Sequence, residues 1–538
     1  MRPRLFPASA AIPIMLALSL SACSDNDPKT GAPTSAAAQK DTLEFAATRD
    51  IRDINPHLYL GEMAAQSMVF EPLVVNTDKG VAPWLAQSWT LSEDAKTYTF
   101  RLREGVKFTD GTPLTAQVVK ANFDAILANR ERHAWLDLVN EIDKTEAVDE
   151  HTFRLTLKHA YFPALIELGL PRPFRMISPA CMKDGQTKNG VTCLSGTGPW
   201  KLDKHEPRAY AVFARNETYW GNAPAIASIR WNVMPDPQTI LMALKAKEMD
   251  LVYAAGGDQL AADAFKSLET DKTLRTLLSE PKGSRAILLN SNRPILSDIA
   301  VREALQRAFN RQNVVDGILN GIEAPAETLF ARNVPGCDIA LAPRPYDPDD
   351  VKRRLDAAGW KTGPNGIREK NGEPLSLVFV FNAENAQEKR IAQSVQSDLL
   401  AVGVELKLEG EETQNYLDRT REGDFDLAYA LSWGAPYDPQ SYLSSWRYKA
   451  HGDYQALLGL KDRDQLVADI TAYLIEPDEQ KRSAVLARVL SAVHESAVYL
   501  PISYARAQCV HQPWLEGVGF EVSQYQIPFE KMRLGARP

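Results

Sequence analysis

From residue 42 onward, stretches in which apolar and polar residues alternate take turns with stretches in which apolar residues recur every three or four positions. That switching of period confines the chain to layered α/β architectures. Residues 42–47, 97–103, 153–158, 375–381 and 404–408 read as strands. Residues 114–127, 160–168, 301–319, 347–358 and 386–401 read as helices, the fourth stopped by Gly359. Residues 66–75 read as a helix running into an extended segment. No short tandem repeat interrupts the pattern. A chain of 538 residues with this texture holds at least two domains.

The N-terminus places the chain in a cell. Arg2 and Arg4 precede an apolar run, 8–20, that is too short to span a bilayer comfortably. Leu20-Ser21-Ala22-Cys23 resembles the bacterial lipobox. That resemblance implies a signal peptide, 1–22, cleaved before Cys23, and lipidation of the Cys23 thiol and its new amine. Residues 23–41 then form a flexible tether, and several acyl chains would hold the protein at a membrane on its extracytoplasmic side. No later stretch reaches the ~18 apolar residues of a spanning helix. Losing two Arg with the signal peptide takes the formal charge from -8 to -10, which disfavours nucleic acid as a partner. With Cys23 acylated, four Cys remain in an oxidising compartment. Cys181 and Cys193 bracket a polar loop and suit a local bridge; a bridge from Cys337 to Cys509 stays open.

Enzyme signatures are lacking. There is no Gly-x-Ser-x-Gly, no His-Glu-x-x-His and no P-loop. Gly256-Gly257 has no Lys beside it, and Pro199 removes a donor from Gly196-Thr197-Gly198-Pro199-Trp200. The eight His are scattered, so no metal-binding cluster is announced. Three short runs carry the chemistry instead: Arg130 to Trp135, Leu170 to Arg175, and Trp433 to Pro439. Guanidinium groups grip carboxylates in a bidentate fork, and indoles offer flat faces to rings and cations. Together they suit a pocket for a small, flat, carboxylate-bearing ligand.

Longer patterns point to a family. Val81-Ala82-Pro83-Trp84-Leu85-Ala86-Gln87-Ser88-Trp89, Tyr98 to Arg103, Val106 to Gly111, Gly196 to Trp200, Asn216-Glu217-Thr218-Tyr219-Trp220 and Val301 to Leu305 resemble extracytoplasmic solute-binding proteins of peptide/nickel ABC importers. Asn55 to Tyr59, Arg132 to Trp135, Pro171 to Arg175, Trp433 to Pro439, Ala497 to Tyr504 and Ile527 to Glu530 resemble the nickel-binding branch. The resemblance runs from about Thr42 to Phe529.

It implies a two-lobed periplasmic-binding-protein fold of α/β class with a hinge and an interlobe cleft. Lobe I would take residues 42–280 and 504–538, and lobe II residues 281–503. The implied function is capture of nickel(II) wrapped in a small organic chelator such as histidine, and its delivery to a membrane permease, by a monomer that is not an enzyme and needs no cofactor. By the family pattern Arg132 and Arg172 bind ligand carboxylates. Trp135 and Trp433 pack on the complex, Tyr59, Met63 and Tyr437 complete the wall, and His451 coordinates the metal. Leu60 stands where the pattern has a polar residue, and Tyr525, also on the wall, where it has a small hydroxyl. The rival ligands are an opine-type metallophore carrying nickel, cobalt or zinc, and an oligopeptide.

Overall fold

The computed structural model describes residues 41–254 and 259–537. The signal peptide, Cys23, the tether up to residue 40 and the pair Gly256-Gly257 lie outside the described residues.

One mixed sheet organises the chain. Ten strands follow in the order Trp200–Glu206, Tyr210–Arg215, Ser228–Val233, Thr42–Ala47, Leu251–Ala254, Tyr499–His511, Arg275–Leu289, Leu427–Leu431, Ser376–Asn382 and Glu405–Glu411, and the short Ala324–Pro325 adds an eleventh beside Tyr499–His511. Thr42–Ala47 runs parallel to both its neighbours. Such a strand is covered on both faces, and Leu43, Phe45, Ala46 and Ala47 are all buried. A separate antiparallel sheet orders Ala86–Leu91, Thr97–Leu102, Thr152–Leu157 and Ile142–Ala147. Its inward residues, Tyr98, Phe100, Phe153 and Leu155, pack on the helix Ala116–Leu127.

Arg275–Leu289 and Tyr499–His511 are the two longest strands and pair with each other. The start of the first shares Tyr499–His511 with Leu251–Ala254, while its end pairs with Leu427–Leu431. The register slips around Pro281, which has no N–H to give to the ladder. The expected lobe boundaries, 280/281 and 503/504, fall inside these two strands.

The strands begin within a residue of their expected places, and Glu405–Glu411 runs three residues past its expected end at 408. Three helices differ. The span 301–319 is two helices, Ile299–Ala308 and Arg311–Gly317. Phe309 is extended between them, and the Asn310 side chain caps the second by accepting from the Asn313 N–H at 3.3 Å. The helix expected from residue 66 is Met63–Val69, followed by the strand Val74–Thr77. The helix expected from residue 160 begins at Ala164, behind Pro163. Cys181 and Cys193 are joined by a disulfide, whereas Cys337 and Cys509 are buried free thiols, so no chain-spanning bridge forms. Among the described residues no helix is long and apolar enough to cross a membrane.

Candidate functional site

The loop 51–62 leads into Met63–Val69 and is pinned from below. Gln66 is buried, and its Nε2 donates to the carbonyls of Asn55 at 2.7 Å and Leu58 at 3.1 Å. That holds Tyr59 against the turn Arg130–His133. The Tyr59 hydroxyl lies 2.7 Å from Nδ1 of the buried His133 and accepts from Nε1–H of Trp135 at 3.0 Å. Over the Tyr59 ring stand two guanidinium carbons, Arg132 at 4.5 Å and Arg172 at 4.9 Å from its centroid. Both are cation–π distances. Arg172 Nη1 also donates to the Gly61 carbonyl at 3.1 Å. Neither Arg is in an ion pair with a carboxylate among the described residues. Burial pushes the Tyr59 hydroxyl up to about 12, so it stays protonated. Burial also lowers the Arg172 guanidinium from its usual value, against the pull of Tyr437 and Tyr59, yet a guanidinium remains charged at neutral pH. Two positive charges therefore share one wall, Arg132 exposed and Arg172 half-buried, and the carboxylate acting on Arg172 is that of Glu62.

The facing wall comes from the other end of the sheet. Leu427–Leu431 delivers Trp433 into a tight turn. Gly434 there has φ of +75°, and any Cβ would strike the Lys282 carbonyl, so only glycine fits. Asp438 ties the turn down: its Oδ2 accepts from Ser432 Oγ at 2.6 Å and from the Gly434 N–H at 2.9 Å. Burial pushes that carboxyl up to about 7. The Trp433 ring then meets Trp135 edge-on at 5.1 Å, Tyr437 at 5.9 Å and His451 at 5.2 Å. His451 immediately precedes the helix Gly452–Leu458, and its Nδ1 is buried without a partner. Burial lowers its pKa below the ordinary 6.5. Tyr437 touches Met63 through a hydroxyl-to-sulfur contact of 4.0 Å and packs edge-on to Tyr525 at 6.1 Å.

Between these walls lies a cavity of about 460 Å³. Arg132, Arg172, Trp135, Trp433 and His451 line it, and so do Tyr59, Met63, Tyr437 and Tyr525. All nine residues expected at the site thus share one space. Arg175, from the same run as Arg172, does not: it is buried and donates to the carbonyls of Leu170 and Phe70. The lining also includes residues that sequence reasoning missed, among them Arg52, Thr413, Gln414 and Leu417. The last three sit on one helix, Thr413–Glu422, whose polar sequence reads as a solvated one. Their only signal is spatial. Among the described residues no group of three or more His, Cys, Asp or Glu gathers as for a metal. The cavity can hold an anion on its Arg side and offer one imidazole on its Trp side, but it cannot by itself complete a coordination sphere.

Residues 80–454 match the family of bacterial extracellular solute-binding proteins, family 5 Middle. The chain belongs to that family. The nickel-binding periplasmic protein of Escherichia coli (strain K12) is 42% identical over 501 residues, covering 92% of this chain and 95% of that one. The crystal structure of NikA from Brucella suis in complex with Fe(III)-EDTA superposes with a TM-score of 0.89 at 43% identity, covering 92% of this chain and 99% of the other. NikZ from Campylobacter jejuni, solved with Ni(L-His), shares the family-5 fold at a TM-score of 0.80 and 21% identity, over 92% of this chain and 99% of that one. The fold is therefore the two-lobed α/β fold of family 5.

Proposed function

We propose that this protein is the substrate-binding component of an ABC importer, and that it captures nickel(II) already held in a small organic chelator and passes it to a membrane permease. The observation that carries the reading is the division of labour in the cavity. Two guanidinium groups without carboxylate partners face one unpartnered imidazole across a space of about 460 Å³. Such a site grips the carboxylates of a chelate and adds one donor to its metal. The E. coli relative named as nickel-binding and the Brucella suis relative solved with a metal chelate support the same reading. Arg132 and Arg172 hold carboxylates, Trp135, Trp433, Tyr59, Met63, Tyr437 and Tyr525 wall the complex, and His451 meets the metal. The protein acts as a carrier and not as an enzyme. The lobes divide where Arg275–Leu289 and Tyr499–His511 cross between the halves of the sheet, and they close on the ligand about that crossing. Lipidation at Cys23 tethers a monomer to the membrane on the extracytoplasmic side.

Titration calorimetry with chelator-free Ni(II) and with Ni(II) plus histidine tests the function. Bare ion binds weakly because one imidazole is a poor cage for an octahedral ion, and histidine restores tight binding. Tight binding of the bare ion would sink the chelate reading.

A further inference from the structure

The cavity does not end at Tyr59. A second space of about 300 Å³ adjoins it, and the two share Arg52, Tyr59, Leu60, Met63, Arg172 and Tyr525 as lining. The second space is lined from the side of the sheet that carries Thr42–Ala47, with Trp231 and Tyr253 on its wall. Arg132, Trp135, Trp433 and His451 line the first space and do not border the second.

Arg52 stands at the junction. It is exposed, and among the described residues its guanidinium is in no ion pair. Its backbone has φ of +56°, the left-handed region that a side chain bearing Cβ adopts at a cost. That cost is tolerated at a position where a glycine would sit without strain, and the residue found there is a cation on a lining that also carries Arg49, Arg172 and one carboxylate, Glu62. Such local strain gathers at ligand clamps. Leu60 lines both spaces as well and is 64% exposed, one of the largest apolar exposures in the described chain. A charge that can clamp an anion and an apolar side chain that can cover a carbon chain thus stand side by side between two connected spaces.

We propose that Arg52 is an anion-binding residue of the cleft, and that the natural chelator carries an anionic arm that passes Leu60 and ends on Arg52. This rests on the chelate-carrier reading and narrows its ligand class. The arm is a carboxylate on a short carbon chain, extending from the part of the molecule that holds the metal.

Three Ni(II) complexes test it by calorimetry: with histidine, with N-(3-carboxypropyl)histidine, and with N-butylhistidine, whose arm has the same carbon chain and no charge. Wild type binds the carboxylate-armed complex about tenfold or more tighter than the butyl-armed one, the worth of a charge-assisted hydrogen bond. In Arg52→Gln that ratio falls to near one, and Arg52→Lys restores part of it. Arg52→Gly, which suits the left-handed backbone, loses the ratio too and shows that the loss is not one of folding. If wild type binds none of the three complexes, the carrier reading itself falls. If it binds Ni–histidine but the armed complexes bind alike, or if the preference survives in Arg52→Gln and Arg52→Gly, the assignment of Arg52 is overturned.

Discussion

Arg172 illustrates how a single side chain is made ready before any ligand arrives. One nitrogen is spent on the Gly61 carbonyl at 3.1 Å, its guanidinium rides over Tyr59, and among the described residues it makes no ion pair. A carboxylate that fills this position replaces water with a charge-assisted fork. Arg172→Ala should therefore weaken binding of a nickel–histidine complex by roughly 2–5 kcal/mol in titration calorimetry. Equal affinities would remove Arg172 from the site. If His451 meets the metal, it does so through its neutral form. Burial disfavours the imidazolium, so its pKa lies below 6.5 and the ring is a competent donor at pH 7. The part of the affinity that His451→Ala abolishes should be fully present at neutral pH and fade only as pH falls below 6.5. Titrations of both proteins across that range, at matched chelator protonation, check the sign: a His451-dependent part that grows on acidification contradicts it.

At the scale of elements, the sequence patterns that carried the family resemblance turn out to meet. Trp84 Nε1, Thr197 Oγ1, Tyr219 Oη and Trp220 Nε1 all donate to the buried carboxylate of Glu71, at 2.7–2.8 Å. Three distant runs are thus one structural knot, although nothing local in any of them names Glu71. Glu71→Ala would leave four donors without their acceptor and should cost at least ~3 kcal/mol of unfolding free energy, read from urea denaturation. A variant as stable as wild type would show that the knot is ornamental. The same contrast explains what could be read beforehand. Strands such as Thr42–Ala47 declare themselves through period and burial, and the Arg and Trp runs declare their chemistry through residue type. The split at Phe309 was hidden because Asn310 acts as a cap only once its neighbours pack. Thr413, Gln414 and Leu417 were hidden because a polar helix reads the same whether it faces bulk water or a cavity. The pairing of Trp135 with Trp433 at 5.1 Å joins residues almost three hundred positions apart, a contact that only the topology of the sheet supplies.

For the whole molecule, attachment and capture are separable. If acyl chains at Cys23 provide the anchor, burial of their methylenes at ~0.8 kcal/mol each holds the protein down, and the cavity plays no part. Cys23→Ser should move the protein from the membrane fraction to the soluble one while its affinity for a nickel–histidine complex stays the same. Sedimentation with membranes after a salt wash would contradict the lipid anchor.

The strand Tyr499–His511 lies between Leu251–Ala254 and Arg275–Leu289, deep inside the sheet although near the end of the chain. A chain delivered N-terminus first, from a ribosome or through a membrane, therefore keeps a gap in its central sheet until residue 499 and beyond have emerged. Non-local pairing of this kind is slow, because the ends of a long loop must meet before any contact rewards them. The delay keeps the nascent chain pliable for threading, and it also leaves two strand edges open to other chains for as long as it lasts.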